Sequence, residues 1–446
     1  MSDDAGLAPT VHKRLTEITG LEVIGDDASL RAVERDFGGL SEGTTHAVVR
    51  PDRAEALLEL VSCARAEGLS LTPRSLGLSQ SGQSLAVGGL SVDMKKLHEI
   101  DVQPDAGIVR CGAGATWREV VARTSEFGLL PEVLPLNLDL SVGGLLAAGG
   151  VGSTSHRYGM AVSSVDSLNV VTAAGELVLA SSTQRSDVYD AVLGGIGRFG
   201  FICDAQIRLR RVQPRTRTYY LLYDDFHALL ADERRLMDAP WCTHLEAFAS
   251  AAVQGLKRGP EGRRIPFARW FFGLHVSTEF SPSEEPQEEQ CLRGLSFREH
   301  LHTEDNDSLE FPDRYGLRFQ MMKATGAWQQ RHPWVECMVS ADVAAEVFPD
   351  LFADISLVLG DGHRVTPIAD VPRPKLLMHP QGTPAIGLSV LPVSVPAPFE
   401  APAMAALNAV HDRLLAAGGK RYLSGWLFEP DEAAWRRHYG EMFDTW

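Results

Sequence analysis

Apolar and polar positions in the first half of the chain alternate in a way that predicts strands interleaved with helices. Thr45–Arg50 has the pattern of a strand, Ala54–Glu67 carries apolar residues at helical spacing, and Leu69–Thr72 has the pattern of a second strand. Such a strand–helix–strand unit brings the residues that follow it to the end of a strand. Further strands are predicted near 91–94 and 107–111.

The pattern changes near residue 212, where longer strand-like segments begin. Strands are predicted at 219–223, 245–249 and 268–276, and Phe226–Met237 has the spacing of a helix. These segments predict a second sheet, separate from the first.

The last third of the chain predicts two further helices. One covers Val343–Leu359, in which Pro349 should break or kink the helix because proline has no backbone N–H to donate. The segment 386–391 is again strand-like. Prolines in 396–402 mark a boundary before a final helix over Ala403–Ala417.

Length and charge restrict the classes of protein that remain. A chain of 446 residues is long enough for two domains, because single cores stop growing near about 250–300 residues. The net charge of −16 argues against a nucleic-acid or membrane partner bound through a basic patch. The acidic N-terminal residues and the absence of long apolar runs lead us to expect a cytoplasmic protein, and the Ala/Arg/Gly-rich composition is typical of bacteria.

The six cysteines are scattered and include no Cys-x-x-Cys pair. This spacing suits neither a zinc ribbon nor a disulfide scaffold, so we expect buried thiols in a reducing compartment and no metal site.

A loop rich in glycine and serine, Pro73–Gln83, follows the predicted strand–helix–strand unit and is called the phosphate loop below. It contains Gly77, Gly82 and three serines. A turn that exposes consecutive backbone N–H groups forms a concave anion site suited to pyrophosphate. The alternative is an ordinary surface loop.

Two other glycine-rich segments indicate a ligand site less specifically than the phosphate loop does. Ser141–Gly152 predicts a short helix of small residues, which allows close approach either of another backbone or of a flat ligand. Gly195–Gly200 has the spacing G-x-G-x-x-G, but a helical segment precedes it and a strand follows. The dinucleotide-binding fingerprint requires the reverse order, so we predict no such site there.

Several segments, taken in order, resemble the FAD-binding family of vanillyl-alcohol oxidase and p-cresol methylhydroxylase, and most closely its cytokinin dehydrogenases. Arg74–Gln83 is similar to the motif Arg-Gly-x-Gly-His-Ser-x-x-Gly-Gln of that subfamily. The other segments with such similarity are Ser141–Gly150, His156–Gly159, Ala191–Cys203, Leu245–Phe248, His332–Glu336 and Lys420–Leu423.

The resemblance implies an α+β, two-domain fold. Both chain ends would form the FAD-binding domain, in residues 1–212 and 396–446, and a substrate domain with an antiparallel sheet would be inserted at 213–395. It also implies cofactor contacts at Pro73, Arg74, Ser75, Leu76, Gly77, Leu78, Ser79, Gln83, Leu136, Ser141, Gly144, Ala147, Val151, Ile202 and Tyr422.

Two departures from the subfamily concern the reactive centre. The histidine that bonds covalently to the flavin is Leu78 here, so we expect noncovalent FAD. The aspartate that accepts a substrate proton aligns on Leu136, which cannot act as a base. Candidate catalytic carboxylates are then Glu246, Asp139 and Glu336.

The resemblance implies an FAD-dependent oxidoreductase that takes a hydride from a small amine or alcohol. We expect a specialised metabolite as substrate, and dioxygen or another electron acceptor to reoxidise the flavin. Two alternatives stay open at this point: a cyclase or lyase in which FAD has a structural role, and a binding protein that has lost the flavin.

Overall fold

The computed structural model describes residues 7–259, 262, 264–360, 362–382, 384–425 and 431–446. The strands in these ranges form three sheets. Their bounds are β1 Leu21–Ile24, β2 Ala47–Pro51, β3 Leu71–Arg74, β4 Leu90–Asp93, β5 Ile100–Gln103, β6 Ile108–Gly112, β7 Leu129–Pro131, β8 Val165–Thr172, β9 Leu177–Ser181, β10 Gly200–Arg211, β11 Arg215–Tyr223, β12 His244–Arg258, β13 Arg264–Phe280, β14 Glu299–Asp307, β15 Val335–Ser340, β16 His363–Ile368, β17 Ala385–Val390 and β18 Lys420–Arg421.

The α-helices are interspersed with these strands along the chain. Their bounds are α1 Pro9–Thr16, α2 Asp27–Val33, α3 Ala54–Glu67, α4 Trp117–Ser125, α5 Val142–Ala148, α6 Ser155–Tyr158, α7 Ser186–Val192, α8 Phe226–Met237, α9 Glu288–Cys291, α10 Gly316–Ala324, α11 Ala341–Asp354, α12 Glu400–Ala416 and α13 Glu432–Tyr439. None of the helices in the described ranges combines the length and apolar character needed to cross a bilayer.

The first sheet has the strand order β1-β2-β4-β3, and β2 and β3 both lie parallel to β4. Helix α3 connects β2 to β3 and has the bounds that its apolar spacing predicts. It ends at Gly68, whose φ of +68° suits glycine at a left-handed C-cap. The phosphate loop leaves the end of β3, as the strand–helix–strand pattern predicted.

The second sheet is antiparallel, with the order β5-β6-β10-β8-β9. Outside this order, β7 pairs with the last residues of β10. The G-x-G-x-x-G segment lies between helix α7 and strand β10. This order confirms the predicted context, which is the reverse of that in a dinucleotide fingerprint.

The third sheet has eight antiparallel strands in the order β14-β11-β13-β12-β16-β17-β15-β18. Its hairpin β12–β13 is much longer than the strands predicted at 245–249 and 268–276. Helices α8, α11 and α12 pack on one face of this sheet and form a core with it. The other face is turned toward the phosphate loop.

Helix α11 continues through Pro349 instead of breaking there. Buried aromatic side chains on both sides of the proline, Phe348 and Phe352, anchor the two halves in the core. Their packing offsets the loss of one backbone hydrogen bond, which is the physical reason that proline does not end the helix.

Part of the C-terminal segment 396–446, which the resemblance assigns to the FAD-binding domain, packs with the eight-stranded sheet. Helix α12 packs in the core of the eight-stranded sheet, and β18 pairs with β15 at its edge. In the C-terminal part, Leu423 and Gly425, which follow β18, bind the phosphate loop. The division into 1–212, 213–395 and 396–446 therefore stays a prediction. All six cysteines are free and buried, which confirms the expectation of buried thiols.

Glu233 on α8 carries a buried carboxyl group whose oxygens have no hydrogen-bond partner among the described residues. Burial raises its pKa from 4.5 to about 8. The folded chain therefore keeps a proton that the unfolded chain releases between these two values, and stability falls as pH rises through this interval.

We expect Glu233→Gln to remove this pH dependence. The free energy of unfolding of the variant, relative to the natural chain, should rise by up to about 1.4 kcal/mol per pH unit between roughly pH 5 and 8. Urea unfolding at several pH values measures the difference, with the exposed Glu289→Gln as the control. If the difference in unfolding free energy between Glu233→Gln and the natural chain does not change with pH, the burial of the Glu233 carboxyl group is contradicted.

Candidate functional site

One cavity of about 340 Å³ lies between the phosphate loop and the free face of the eight-stranded sheet. Its walls come from the phosphate loop, from α5 and its flanks, from the start of β10 and from β15, β16 and β17. All fifteen residues to which the resemblance assigned cofactor contacts line it: Pro73, Arg74, Ser75, Leu76, Gly77, Leu78, Ser79, Gln83, Leu136, Ser141, Gly144, Ala147, Val151, Ile202 and Tyr422.

The phosphate loop presents unpaired polar groups along this cavity. Among the described residues, no acceptor is found for the backbone N–H groups from Leu76 to Gln80. The hydroxyl oxygen of Ser75 and the side-chain carbonyl oxygen of Gln80 are buried and also lack partners within that part of the chain. Consecutive free donors along a concave wall form a nest, so the loop fits the phosphates of a nucleotide.

Asp36, in the segment after α2, fixes the loop from the side opposite the cavity. Its carboxylate accepts hydrogen bonds from Ser79 Oγ at 2.8 Å, from the backbone N–H of Gly82 at 2.8 Å and from that of Gly39 at 3.1 Å. Burial raises its pKa and these hydrogen bonds oppose the rise. No pattern in the sequence around Asp36 pointed to this contact.

Arg74 supports the loop in a similar way. Its guanidinium donates to the backbone carbonyl of Arg35 at 2.7 Å and lies 3.3 Å from Ser84 Oγ. Gly77 has a φ of +65°, and a Cβ there would lie 2.2 Å from Arg74 Nη2. The positive φ therefore favours glycine at this position, and a larger residue would also displace the Arg74 guanidinium.

The C-terminal segment closes the other end of the loop. Gln83 Nε2 donates to the carbonyl of Leu423 at 2.9 Å, and Ser81 Oγ donates to that of Gly425 at 2.8 Å. The hydroxyl of Tyr422 accepts a hydrogen bond from the backbone N–H of Gly150 at 2.9 Å. The two chain ends thus meet at the cavity.

The position of the glycine-rich helix α5 is compatible with both of the purposes that the sequence left open. A Cβ on Gly143 would lie 2.7 Å from Ala113 Cβ, so this glycine allows close packing, and both Gly143 and Gly144 line the cavity. Ile196 of the G-x-G-x-x-G segment also lines the cavity, and its N–H donates to the carbonyl of Ala147 at 2.8 Å. The G-x-G-x-x-G spacing of this segment does not by itself indicate this contribution.

The sheet side of the cavity carries a row of side chains from four adjacent strands, which we call the cavity row: Phe248, Arg364, Ser389 and Glu336. Phe248 pairs with Arg364, Arg364 with Ser389, and Ser389 with Glu336 across the strands β12, β16, β17 and β15. Directly opposite residues of an antiparallel sheet share one face. The register therefore brings together residues that lie far apart in sequence.

Glu336 is the only acidic side chain among the described residues that line the cavity. Ser389 Oγ donates to its Oε1 at 2.8 Å, and Ser424 Oγ donates to its Oε2. Burial raises the pKa of Glu336, although these two hydroxyls and the charge of Arg364 act against the rise. A carboxyl group in this position can exchange a proton with a molecule in the cavity.

Glu246 lies beside the cavity row on the same face of the sheet but does not line the cavity. It is 2% exposed, its Oε1 accepts a hydrogen bond from Arg364 at 2.8 Å, and its Oε2 binds Arg314 and Tyr315. Burial raises its pKa, but attraction to the two arginines outweighs burial and lowers the value to about 2. Glu246 is therefore a paired anion that positions Arg364 and Tyr315.

Asp139 also lies outside the cavity. Its carboxylate binds Arg118 Nε at 2.7 Å and Lys323 Nζ at 3.4 Å, and Arg118 in turn binds Asp313 at 2.8 Å. These ion pairs oppose the effect of burial and lower the pKa of Asp139. They connect the turn before α5 to helix α10, which is a structural function.

Aromatic side chains line the cavity beside the cavity row. Phe37, Trp328 and Trp334 line it, and the ring of His332 stacks on Phe37 with a centroid distance of 4.0 Å. His332 is fully buried and itself does not line the cavity. It supports the wall.

Comparison with known proteins gives consistent matches. A sequence model of the FAD binding domain matches residues 45–181. An uncharacterised oxidoreductase of the fasciation locus of Rhodococcoides fascians is 32% identical over 319 residues, which cover 71% of this chain and 69% of that protein.

Two relatives from rice, Oryza sativa subsp. japonica, have names that state an activity. Cytokinin dehydrogenase 10 is 31% identical over 348 residues, covering 70% of this chain and 63% of that protein. Cytokinin dehydrogenase 7 is 29% identical over 372 residues, covering 74% of this chain and 69% of that protein. The aligned part of cytokinin dehydrogenase 10 is thus less than two thirds of its length.

Asp36→Ala should weaken the binding of added FAD by about tenfold or more, because hydrogen bonds to a charged group hold the loop in its donor-exposing conformation. Titration of the flavin-free protein, followed by quenching of flavin fluorescence, measures the affinity. The exposed Asp105→Ala is the control. Unchanged affinity in Asp36→Ala would show that the loop is ordered without this carboxylate.

Proposed function

The chain belongs to the FAD-binding family of vanillyl-alcohol oxidase and p-cresol methylhydroxylase, most like its cytokinin dehydrogenases, and on this premise we propose that it oxidises a small amine or alcohol with noncovalently bound FAD. The oxidoreductase class and the FAD cofactor follow from the family. The substrate, the mode of flavin attachment and the role of each residue are our proposals.

One observation carries the proposal: the fifteen residues assigned to FAD line a single cavity, and one carboxyl group, that of Glu336, lies in the opposite wall. The free N–H groups of the phosphate loop would hold the pyrophosphate. Ser141, Gly144 and Ala147 would contact the flavin from α5, and Tyr422 would contact it from the C-terminal segment.

Noncovalent attachment is supported by the lining of the cavity. Leu78 occupies the position of the subfamily's covalent histidine, and no histidine lines the cavity in the described part of the chain. Burial raises the pKa of the nearby Cys337 thiol to about 12, so this cysteine would be un-ionised and a poor nucleophile.

Glu336 would act as the proton acceptor in place of the missing aspartate. When bound, FAD would supply the two-electron acceptor for the hydride of a substrate C–H bond. The N–H or O–H proton of the same substrate would pass to the Glu336 carboxylate, leaving an imine or a carbonyl group as product. Dioxygen or another acceptor would then reoxidise the flavin. Ser389 and Ser424 orient the carboxylate for this transfer.

Acid precipitation tests the mode of attachment. We expect a yellow protein that releases all of its flavin to the supernatant, because Leu78 offers no nucleophilic nitrogen. Flavin that stays in the pellet would overturn noncovalent binding, and a colourless protein that does not bind added FAD would favour a flavin-free binding protein.

Glu336→Gln should slow flavin reduction by about 10²- to 10⁴-fold, the usual contribution of a general base. A panel of amines and alcohols is mixed anaerobically with the FAD-loaded protein, and loss of the flavin's visible absorbance gives the rate. Because the carboxylate is the active form and its pKa is raised, the natural protein's rate should increase with pH, with a midpoint above the usual range of glutamate.

The control for this experiment is Asp139→Asn, which removes a carboxylate outside the cavity and should keep the pH dependence. A substrate that reduces the flavin of Glu336→Gln as fast as it reduces the flavin of the natural protein would exclude Glu336 as the base. If no compound bleaches the flavin but one is converted, the non-redox alternative is favoured.

A further inference from the structure

Arg364 is a buried cation that forms part of the cavity wall without using all of its donors. It is 6% exposed, lines the cavity and donates from Nη2 to Glu246 at 2.8 Å. Its Nε is buried and has no partner among the described residues. Nη1 is the one guanidinium nitrogen that is neither hydrogen-bonded within the described residues nor enclosed by protein, so it is the donor that a ligand in the cavity can meet.

Arg364 shares its carboxylate partner with a second cation. Glu246 binds both Arg314 and Arg364, so a single buried carboxylate serves two guanidinium groups. Arg314 does not line the cavity, so Arg364 is the member of this cluster that a ligand there can meet. A second cation, Arg318, lines the cavity from an exposed position and has no ion pair within the described residues.

The register of the sheet relates Arg364 to the proposed base. Ser389 lies between Arg364 and Glu336 in the cavity row, so the backbones of these two residues are two strand spacings apart, about 10 Å. Aromatic rings, Phe248 and Tyr315 among them, lie next to Arg364 in the lining. The wall thus offers a cation, flat apolar surfaces and a carboxyl group in one line.

We propose that Arg364 binds the carboxylate of the substrate, which is then a small aromatic acid whose oxidisable amine or hydroxyl group lies toward Glu336. This inference rests on the proposed function, since it names the substrate class of the same cavity. Glu246 is then a positioning residue, because its hydrogen bond with Nη2 holds the Arg364 guanidinium in the cavity wall while Nη1 stays available to the ligand.

The test compares two probes of equal shape, benzoate and benzamide, on the FAD-loaded protein by titration calorimetry. We expect benzoate to bind at least about tenfold more tightly than benzamide, since a charge-assisted hydrogen bond is much stronger than a neutral one. Arg364→Gln should abolish this preference, and Arg364→Lys should retain part of it. The matched control Arg298→Gln removes a surface cation and should change nothing.

Further measurements separate a binding role from other effects. The preference should persist at high salt, because a buried pair is screened little, whereas a contribution of Arg318 at the exposed mouth would decline. Thermal denaturation of each variant shows whether it is folded.

Three outcomes would overturn the proposal. They are equal binding of the two probes by the natural protein, no detectable binding of benzoate, and a benzoate preference that survives in folded Arg364→Gln. If folded Arg364→Gln keeps the preference and its flavin midpoint potential is lower than that of the natural protein, Arg364 stabilises the reduced flavin instead. Failure of the proposed function is visible separately, as a protein that holds no FAD, and calorimetry with benzoate can still be done on it.

Discussion

The phosphate loop must be rigid while its consecutive backbone donors stay unpaired, and much of the structure follows from this requirement. Buried N–H groups normally find partners within the protein, and such pairing is what usually orders a loop. Here the order comes from groups outside the row of donors: the carboxylate of Asp36, the guanidinium of Arg74 and the amide of Gln83. Because these partners include backbone of Leu423, the loop also joins distant parts of the chain.

The eight-stranded sheet supplies the opposite wall through its register. Phe248, Arg364, Ser389 and Glu336 share one face only because four strands are aligned at these positions. A shift of one residue in any strand would turn its side chain into the helical core on the other side. Glu246, two residues before Phe248 on the same face, adds the anion that keeps Arg364 buried and oriented.

The two substitutions at the reactive centre and the composition of this wall form a consistent picture under the proposed function. Leucines stand at 78 and 136, where the subfamily has a histidine and an aspartate, so the flavin side of the cavity has lost polarity. The sheet side carries a carboxyl group, that of Glu336, and a buried cation, Arg364. We infer that proton transfer and substrate recognition are both placed on the sheet, which would permit a substrate different from those of the cytokinin dehydrogenases.

The sequence alone determined the features that depend on local order. Helices α3 and α8 have the predicted bounds, because apolar spacing and neighbouring turn residues define them. Motif order along the chain predicted which fifteen residues line one cavity. Strands β14, β15 and β16 and the loop contact of Asp36 were missed, since their stability comes from pairing with distant residues. The sequence favoured Glu246, which keeps the family's glutamate position, over Asp139 and Glu336. Tertiary structure separated them, because the protonation and role of a carboxyl group depend on its burial and charged partners, which only the folded chain supplies.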